Sequence, residues 1–259
     1  MRRRRRQDPT GKSRTAAPRR PWTPLRRWAP RLAALGAAAA VAGCTYAGQI
    51  DQPYTLKATW FSYLNGDDLR KRCANIEDHW EVRLVYNGHY EKQLRSYHMI
   101  ADGTGGADVT ARASKPDAGN LARLSLADPL APWRWATSRR ALDPAARDEL
   151  EDRLAASGVY ATAPSGIRLK SWGWYWVSIA CRDGEVHFNA WAYPSDRWDR
   201  QDLRQIVQPL DETGVAFNQP RAPDFSESPT RARPKGEGQS IHFELKTGDN
   251  GLAGVVTPF

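Results

Sequence analysis

The sequence predicts an α+β fold, in which an antiparallel sheet built from hairpins packs against two amphipathic helices. The strongest indication is a run of aromatic and β-branched residues over 171–194 that is interrupted once, by Asp183-Gly184. A second strand-like region surrounds Asn87-Gly88. Two further segments, 144–157 and 199–210, carry apolar residues at helical spacing.

The segment 171–194 is predicted to be the central hairpin. Asp-Gly suits a two-residue type I′ turn, which would place Trp176 opposite Trp191 and Ile179 opposite Phe188. Because side chains alternate along a strand, this register produces one aliphatic face and one aromatic face. Two apolar faces are typical of a sheet that is covered on both sides.

A second hairpin is expected over 80–98, around Asn87-Gly88. Its alternation is less regular. A two-residue turn would place Val82 opposite Gln93, whereas a loop one residue longer would place it opposite Leu94. We therefore expect a bulge or a longer turn at this position.

The two helices have recognisable ends and buried faces. For the first, Asp143 is a plausible N-cap, Pro144 suits the first helical position and Gly158 a C-terminal cap. Its apolar stripe consists of Ala146, Leu150 and Leu154, and that of the second helix of Leu203, Ile206, Val207 and Leu210.

The remaining segments carry weaker patterns. They predict a strand over 55–64, a helical turn or loop over 67–74, a loop over 102–120 with a short strand near Val109, a strand over 121–126, a linker over 218–238, an edge strand over 240–245 and a loose end over 248–259.

The positive charge lies in the N-terminal leader. The chain has a formal net charge of +9, but residues 1–43 carry 12 basic residues and one acidic residue. From Cys44 onward, 26 basic residues therefore face 28 acidic ones. Nucleic-acid binding by the folded part loses its main electrostatic support.

The leader ends in Val41-Ala42-Gly43-Cys44, after an uncharged run that begins at Leu32. Twelve residues are too few to cross a bilayer as a helix, which needs about 20. The motif resembles the lipobox of bacterial lipoproteins. This resemblance implies a cleaved signal peptide and acyl chains such as palmitate on Cys44. The alternatives are an ordinary signal peptide cut near Ala42 and an uncleaved anchor.

The lipobox also implies a location and a domain organisation. A lipid anchor would hold the protein in the cell envelope, facing the periplasm, and Thr45 favours the outer over the inner membrane. The predicted parts are the export signal 1–43, the lipidated N-terminus and tether 44–54, the α+β domain 55–217 and a Pro/Arg/Ser-rich C-terminal extension 218–259. The leader is compatible with general secretion or, through its Arg-Arg pairs, with twin-arginine export.

Two cysteines remain once Cys44 is assigned to lipid. An even pair in an exported protein predicts a disulfide, here between Cys73 and Cys181. The alternative is two buried free thiols.

The chain carries no recognisable catalytic motif: no nucleophile elbow, HExxH, P-loop or Rossmann fingerprint. His79 and His98 could approach each other on the first hairpin, but no third metal ligand is spaced near them. We therefore expect no enzyme activity, no metal and no cofactor.

The aromatic face of the central hairpin is the main candidate for function. Its members, the aromatic platform, are Trp172, Trp174, Trp176, Trp191 and Tyr193. An exposed platform could bind an envelope glycan or an envelope protein, because indole rings stack on sugars and are common at protein interfaces. The alternative is that helices cover the platform and that it belongs to the core.

The order of elements over 141–213 also resembles a protease-inhibitor family. A helix, Gly158-Val159-Tyr160, a hairpin and a second helix follow one another as in the emfourin-type inhibitors of thermolysin-like metalloproteases. Three tryptophans of the platform (Trp172, Trp174, Trp176) are additional, and no inhibitory residue is transferred. The sequence thus favours a non-enzymatic binding or scaffolding role in the envelope. The alternatives are an exported inhibitor or a small envelope enzyme.

Overall fold

The computed structural model describes residues 53–76, 78–90, 92–114, 135–221 and 243–257. The helices of this part are α1 Pro53–Asn65, α2 Asp67–Asn75, α3 Pro144–Ala156, α4 Asp196–Asp199 and α5 Leu203–Val207, followed by a 3₁₀ turn at Gln208–Leu210. Its strands are β1 Glu81–Gly88, β2 Leu94–Ala101, β3 Ala107–Ala113, β4 Ala136–Leu142, β5 Arg168–Lys170, β6 Trp174–Arg182, β7 Glu185–Ala192, β8 Glu244–Gly248 and β9 Gly251–Thr257.

The described strands form two antiparallel sheets. The main sheet has six strands in the order β4-β3-β2-β1-β6-β7, and the second sheet has three in the order β5-β8-β9. The predicted α+β class with antiparallel sheet is confirmed. No helix in the described ranges is both long enough and apolar enough to cross a membrane.

Strands β6 and β7 are joined by Asp183 and Gly184, with φ angles of 53° and 75°. Positive φ at both central residues is what a type I′ turn requires. Trp176 lies opposite Trp191 in the resulting register.

The connection between β1 and β2 differs from both expected loops. Val82 lies opposite Met99, and the chain turns over residues 89–93. Asn87-Gly88 is therefore not the turn, and neither short-loop register is present; the connection is longer than both, in line with the expected bulge or longer turn. The reason is that the Asn87 amide donates to the carbonyl groups of Ser171 and Gly173, at 3.1 and 2.6 Å. These contacts keep Asn87 inside the strand.

Segment 55–64 is helical rather than extended, so the predicted first strand is wrong. Its buried side chains include Trp60, Tyr63 and Leu64. This spacing of three and four residues places them on one face of α1, towards the aliphatic side of the main sheet. The contacts of that face override the β-forming composition of the segment.

Helix α2 follows α1 at a tight junction. Gly66 adopts φ 69°, and a Cβ atom placed there would lie 2.5 Å from Cγ2 of Ile179 on β6. Only glycine fits this combination of left-handed backbone and close approach.

Three other segments also depart from prediction. The strand expected near Val109 is present within 102–120 but is longer than predicted, at seven residues (β3), and residues 136–142 form an unpredicted strand, β4. The predicted strand over 121–126 lies outside the described residues. The second helix is interrupted between α4 and α5, although its Leu203, Ile206 and Val207 are buried as predicted.

The C-terminal strands belong to a sheet of their own. The predicted edge position is wrong because β8 lies between β5 and β9, and residues 251–257 are not loose because they form β9, which pairs with β8. Phe243 and Leu245 are buried in the core.

The main sheet separates two hydrophobic clusters. The cluster on the aromatic face includes Trp176 and Trp191 from the sheet, Leu150 and Leu154 from α3, and the apolar residues of α5. The opposite cluster includes Val177, Ile179 and Phe188, together with residues of α1, α2 and the second sheet. Both faces of the central hairpin are therefore covered.

The outer edge of β7 is covered by hydrogen bonds from Asn250 and Ala163, and no other strand of the described residues pairs with it. The Asn250 side chain accepts from the Phe188 amide at 2.8 Å and donates to the Val186 carbonyl at 2.7 Å. The Ala163 amide donates to the Phe188 carbonyl at 3.0 Å. The turn between β8 and β9 is thereby fastened to the main sheet.

Candidate functional site

The structure buries most of the aromatic platform. Trp174, Trp176 and Trp191 are 4%, 1% and 3% exposed. Only Trp172 and Tyr193 are partly exposed. The five residues therefore do not form a flat, open platform. The three buried tryptophans belong to the hydrophobic core, which was the alternative prediction. The physical reason is that α3 and α5 pack their apolar residues over this face.

One end of the aromatic face opens into a pocket of about 270 Å³. Aromatic side chains form part of its lining and polar groups surround them. The lining residues are Tyr86, Trp176, Trp198, Asp199, Gln201, Asp202, Arg204, Gln205, Gln219 and Pro220. We identify this pocket as the candidate functional site.

The floor of the pocket is rigid because its rings pack against one another. The ring centroids of Tyr86 and Trp176 are 4.8 Å apart, and Trp176 also contacts Tyr97 at 6.3 Å. Tyr86 and Trp176 face each other across the paired strands β1 and β6. The sheet register therefore fixes the floor.

Trp198 lines the pocket from the short helix α4 and is partly exposed. Ser195 caps this helix, because its hydroxyl accepts from the Trp198 amide at 3.2 Å and donates to the Ala192 carbonyl at 2.6 Å. The Trp198 ring packs edge-on against Tyr193, with centroids 5.5 Å apart. An N-cap immediately after β7 thus positions the indole.

Residues 211–221, the strap, cross the same end of the sheet and supply Gln219 and Pro220 to the pocket wall. The fully buried Arg95 of β2 holds the strap, since it donates to Asp211 and to the Val215 carbonyl. Its guanidinium also lies 4.0 Å from the centroid of the Phe217 ring.

Two tyrosines add to this attachment. Tyr97 donates to Asp211 at 2.6 Å, and Tyr86 donates to the Asn218 carbonyl at 2.5 Å. Burial alone would raise the pKa of Asp211, but hydrogen bonds from Thr213 and Tyr97 and the charge of Arg95 hold it below its usual value. Asp211 therefore remains a carboxylate at the start of the strap.

The rim of the pocket has hydrogen-bonding groups to offer. Within the described part of the chain, the side chains of Asp199, Asp202 and Gln205 have no hydrogen-bond partner. Arg204 donates to the Gln219 side chain, and its buried Nε atom has no partner among the described residues. Two carboxylates therefore accompany one guanidinium at the pocket.

A second polar cluster lies under α2, on the opposite face of the sheet. Glu81 is fully buried and contacts Nε2 of His79 at 2.7 Å, Nε2 of His98 at 2.6 Å and Nε of Arg72 at 2.8 Å. The two histidines thus approach each other through a carboxylate. Among the residues that the structure describes, no group of His, Cys, Asp or Glu has the arrangement of a metal site.

The charges in this cluster are balanced. Burial alone would raise the pKa of Glu81, but hydrogen bonds from Arg72, His98 and His79 lower it well below its usual range. Asp68 on α2 also pairs with Arg72 and with the buried Arg83. We interpret the cluster as a structural attachment of α2 to β1.

Cys73 and Cys181 lie at disulfide distance, with Sγ atoms 2.00 Å and Cα atoms 5.6 Å apart. They connect α2 to β6 beside the Glu81 cluster. Cys44, the proposed site of lipidation, and the whole leader lie outside the described residues.

Sequence reasoning missed Trp198 and the strap. The Ser195-Asp196-Arg197-Trp198 run carries a helix-capping signal that could have identified α4. The strap carries no periodic pattern and includes the start of the predicted linker.

No family model matches this chain, and neither a curated protein nor a solved structure was found to be similar to it.

Proposed function

We infer that this protein is a lipid-anchored protein of the cell envelope with a non-enzymatic binding role, and that the pocket beside α5 is its binding site. The lipobox at 41–44 supports the anchor. The observation that carries the binding role is the pocket itself, where aromatic rings and unpaired polar side chains meet in one concavity. Aromatic side chains next to polar groups that can fix the orientation of a ligand are features of small-ligand sites.

The anchor is tested by membrane fractionation of cells that express the full chain. The wild type is expected in the membrane fraction, with an N-terminal mass increased by acyl chains at Cys44. Cys44→Ser is expected in the soluble periplasmic fraction or as an unprocessed precursor. An unmodified Cys44 in the membrane fraction would contradict the proposed lipidation.

The binding role is tested by photo-crosslinking in living cells. A photoreactive amino acid replaces Gln205 on the pocket rim, or Glu185 at the turn end of β7 as the matched exposed control. We expect a defined adduct with an envelope component only from position 205. Equal adducts from both positions, or none from position 205, would contradict a binding site in this pocket.

A further inference from the structure

The shape of the pocket limits the ligands that can fill it. Trp198 presents a partly exposed indole at the side, whereas Tyr86 and Trp176 form a floor that is only 2% and 1% exposed. A ligand that fits needs one flat apolar face. The volume of about 270 Å³ lies just below the usual range of ligand pockets, which begins near about 300 Å³. One ring-sized group fits better than an extended chain.

The rim selects for hydroxyl groups. The Asp202 carboxylate begins α5 but makes no capping hydrogen bond, so it is available to a ligand. Asp199 and Gln205 are likewise exposed and without a partner among the described residues. Carboxylates accept strong hydrogen bonds from hydroxyl groups, and an amide both donates and accepts.

The charge of the rim disfavours anions. Asp199 and Asp202 contribute two negative charges and Arg204 one positive charge, so the lining carries a net charge of −1. An acidic ligand would bring its charge towards two carboxylates, and this repulsion is largest where water is partly excluded. The pocket is therefore matched to a neutral ligand.

A neutral sugar ring meets all three requirements. One face of such a ring consists of C–H groups that pack on indole, and its edge carries hydroxyl groups. We propose that the pocket binds a neutral sugar residue of an envelope glycan, with its apolar face on the Trp198 indole and its hydroxyl groups on Asp202, Asp199 and Gln205. The inference rests on the proposed function, since it assigns a ligand class to the same pocket.

The sugars attached to the bound residue would extend into solvent. Asp199, Asp202, Gln205 and Gln219 are all exposed, so the rim opens to solvent. The pocket would therefore accept one residue within or at the end of a chain, and affinity should depend little on chain length beyond two or three residues.

The test is a fluorescence and calorimetric titration of the full-chain protein in detergent. The probes are a neutral tetramer of N-acetylglucosamine, a neutral glucose tetramer and an anionic oligogalacturonate of equal length. We expect saturable binding of at least one neutral probe and no measurable binding of the anionic probe. Asp202→Asn should weaken neutral binding by about tenfold, because it replaces a charged acceptor by a neutral one.

The controls separate binding from folding. Glu185→Gln removes an exposed carboxylate far along β7 and should leave affinity unchanged. Trp198→Ala should abolish binding, with an unchanged circular dichroism spectrum as the folding check, and Gln205→Ala provides a milder second variant. Tighter binding of the anionic probe, or no binding of either neutral probe by folded wild type, would overturn the sugar assignment.

The two proposals fail in different ways. If position 205 still forms a specific adduct in cells while neutral sugars do not bind, the binding role survives and the ligand class is wrong. If neither occurs, both proposals are wrong.

Discussion

Glu81 lies directly opposite Cys181 on the paired strands β1 and β6, so a buried carboxylate and a cystine occupy neighbouring positions under α2. Arg72, which contacts Glu81, immediately precedes Cys73 in the helix. The ion cluster and the covalent link therefore hold the same turn of α2 against the same two strands.

We predict that Glu81→Gln lowers the free energy of unfolding by about 3 kcal/mol at neutral pH, because it leaves Arg72 and two histidines without their shared buried partner. Urea unfolding provides the measurement. Glu185→Gln, an exposed carboxylate without such contacts, should change stability by less than about 0.5 kcal/mol. Equal effects of the two substitutions would contradict the role of the cluster.

The same carboxylate predicts an acid-sensitive fold. The pKa of Glu81 in the folded state is below its unfolded value near 4.5, so the carboxylate adds stability above that pH and loses it as the pH falls through the folded pKa. The wild type should lose stability from about pH 5 downwards, and Glu81→Gln should lose less over the same range. Urea midpoints at several pH values test this difference.

Reduction of the Cys73–Cys181 link should destabilise the domain strongly. The two residues are 108 positions apart, and chain-entropy arguments give about 4.7 kcal/mol for a loop of about 100 residues. We expect a reductant to lower the urea midpoint of the wild type. The double variant Cys73→Ala/Cys181→Ala should start low and not respond to reductant. A wild type that is indifferent to reductant would argue against the disulfide.

Gly66 and Gly184 form a matched pair for separating backbone strain from steric conflict. Both have positive φ, but a Cβ at Gly184 would meet no atom within 4 Å. Gly184→Ala should therefore cost about 1 kcal/mol from the left-handed conformation alone. Gly66→Ala should cost about 3 kcal/mol, because Ile179 must also move. Similar losses in thermal or urea unfolding would show that α2 can shift to accommodate the methyl group.

The two kinds of tryptophan on the aromatic face should respond differently to truncation. Trp191→Ala should cost about 3 to 5 kcal/mol, as expected for a large buried side chain. Trp172→Ala should cost less than about 1 kcal/mol but remove a component of the fluorescence that acrylamide quenches. Strong quenching that disappears with Trp191 instead would mean that the aromatic face is open.

The sequence was informative where structure depends on neighbours in the chain. Asp183 and Gly184 both adopt the positive φ that their dipeptide favours, and Asp143 accepts a hydrogen bond from the Ala146 amide at the start of α3. The Asn87-Gly88 dipeptide has the same preference for a type I′ turn as Asp183-Gly184. It is not a turn because the Asn87 side chain has partners more than 80 residues away, which no local pattern reveals.

The candidate site was also predictable only in part, because many of its contacts join residues that are distant in the sequence. In its aromatic floor, Trp176 was predictable from the alternation of β6, whereas Tyr86 comes from β1, whose register was not predicted. The wall of the pocket was not predictable, because Arg95 and Asp211, whose contact holds the strap in place, are 116 residues apart in the sequence. The pocket exists only where a covered sheet face, a short capped helix and a distant strap meet. The cap of the helix has a local sequence signature, but the contacts between the three parts have none.

The hydrogen bonds of Asn250 to the edge of β7 also affect whether copies of this protein associate. An uncovered strand edge pairs readily with another chain, and the amide of Asn250 occupies the outward-facing groups of Val186 and Phe188. The opposite edge, β4, instead displays Arg139 and Arg140 to solvent. The β7 edge of the sheet is thus covered by hydrogen bonds, and the β4 edge carries exposed positive charges that disfavour pairing with another strand. Loss of the Asn250 contacts would expose these groups of β7 to pairing with another copy of the chain.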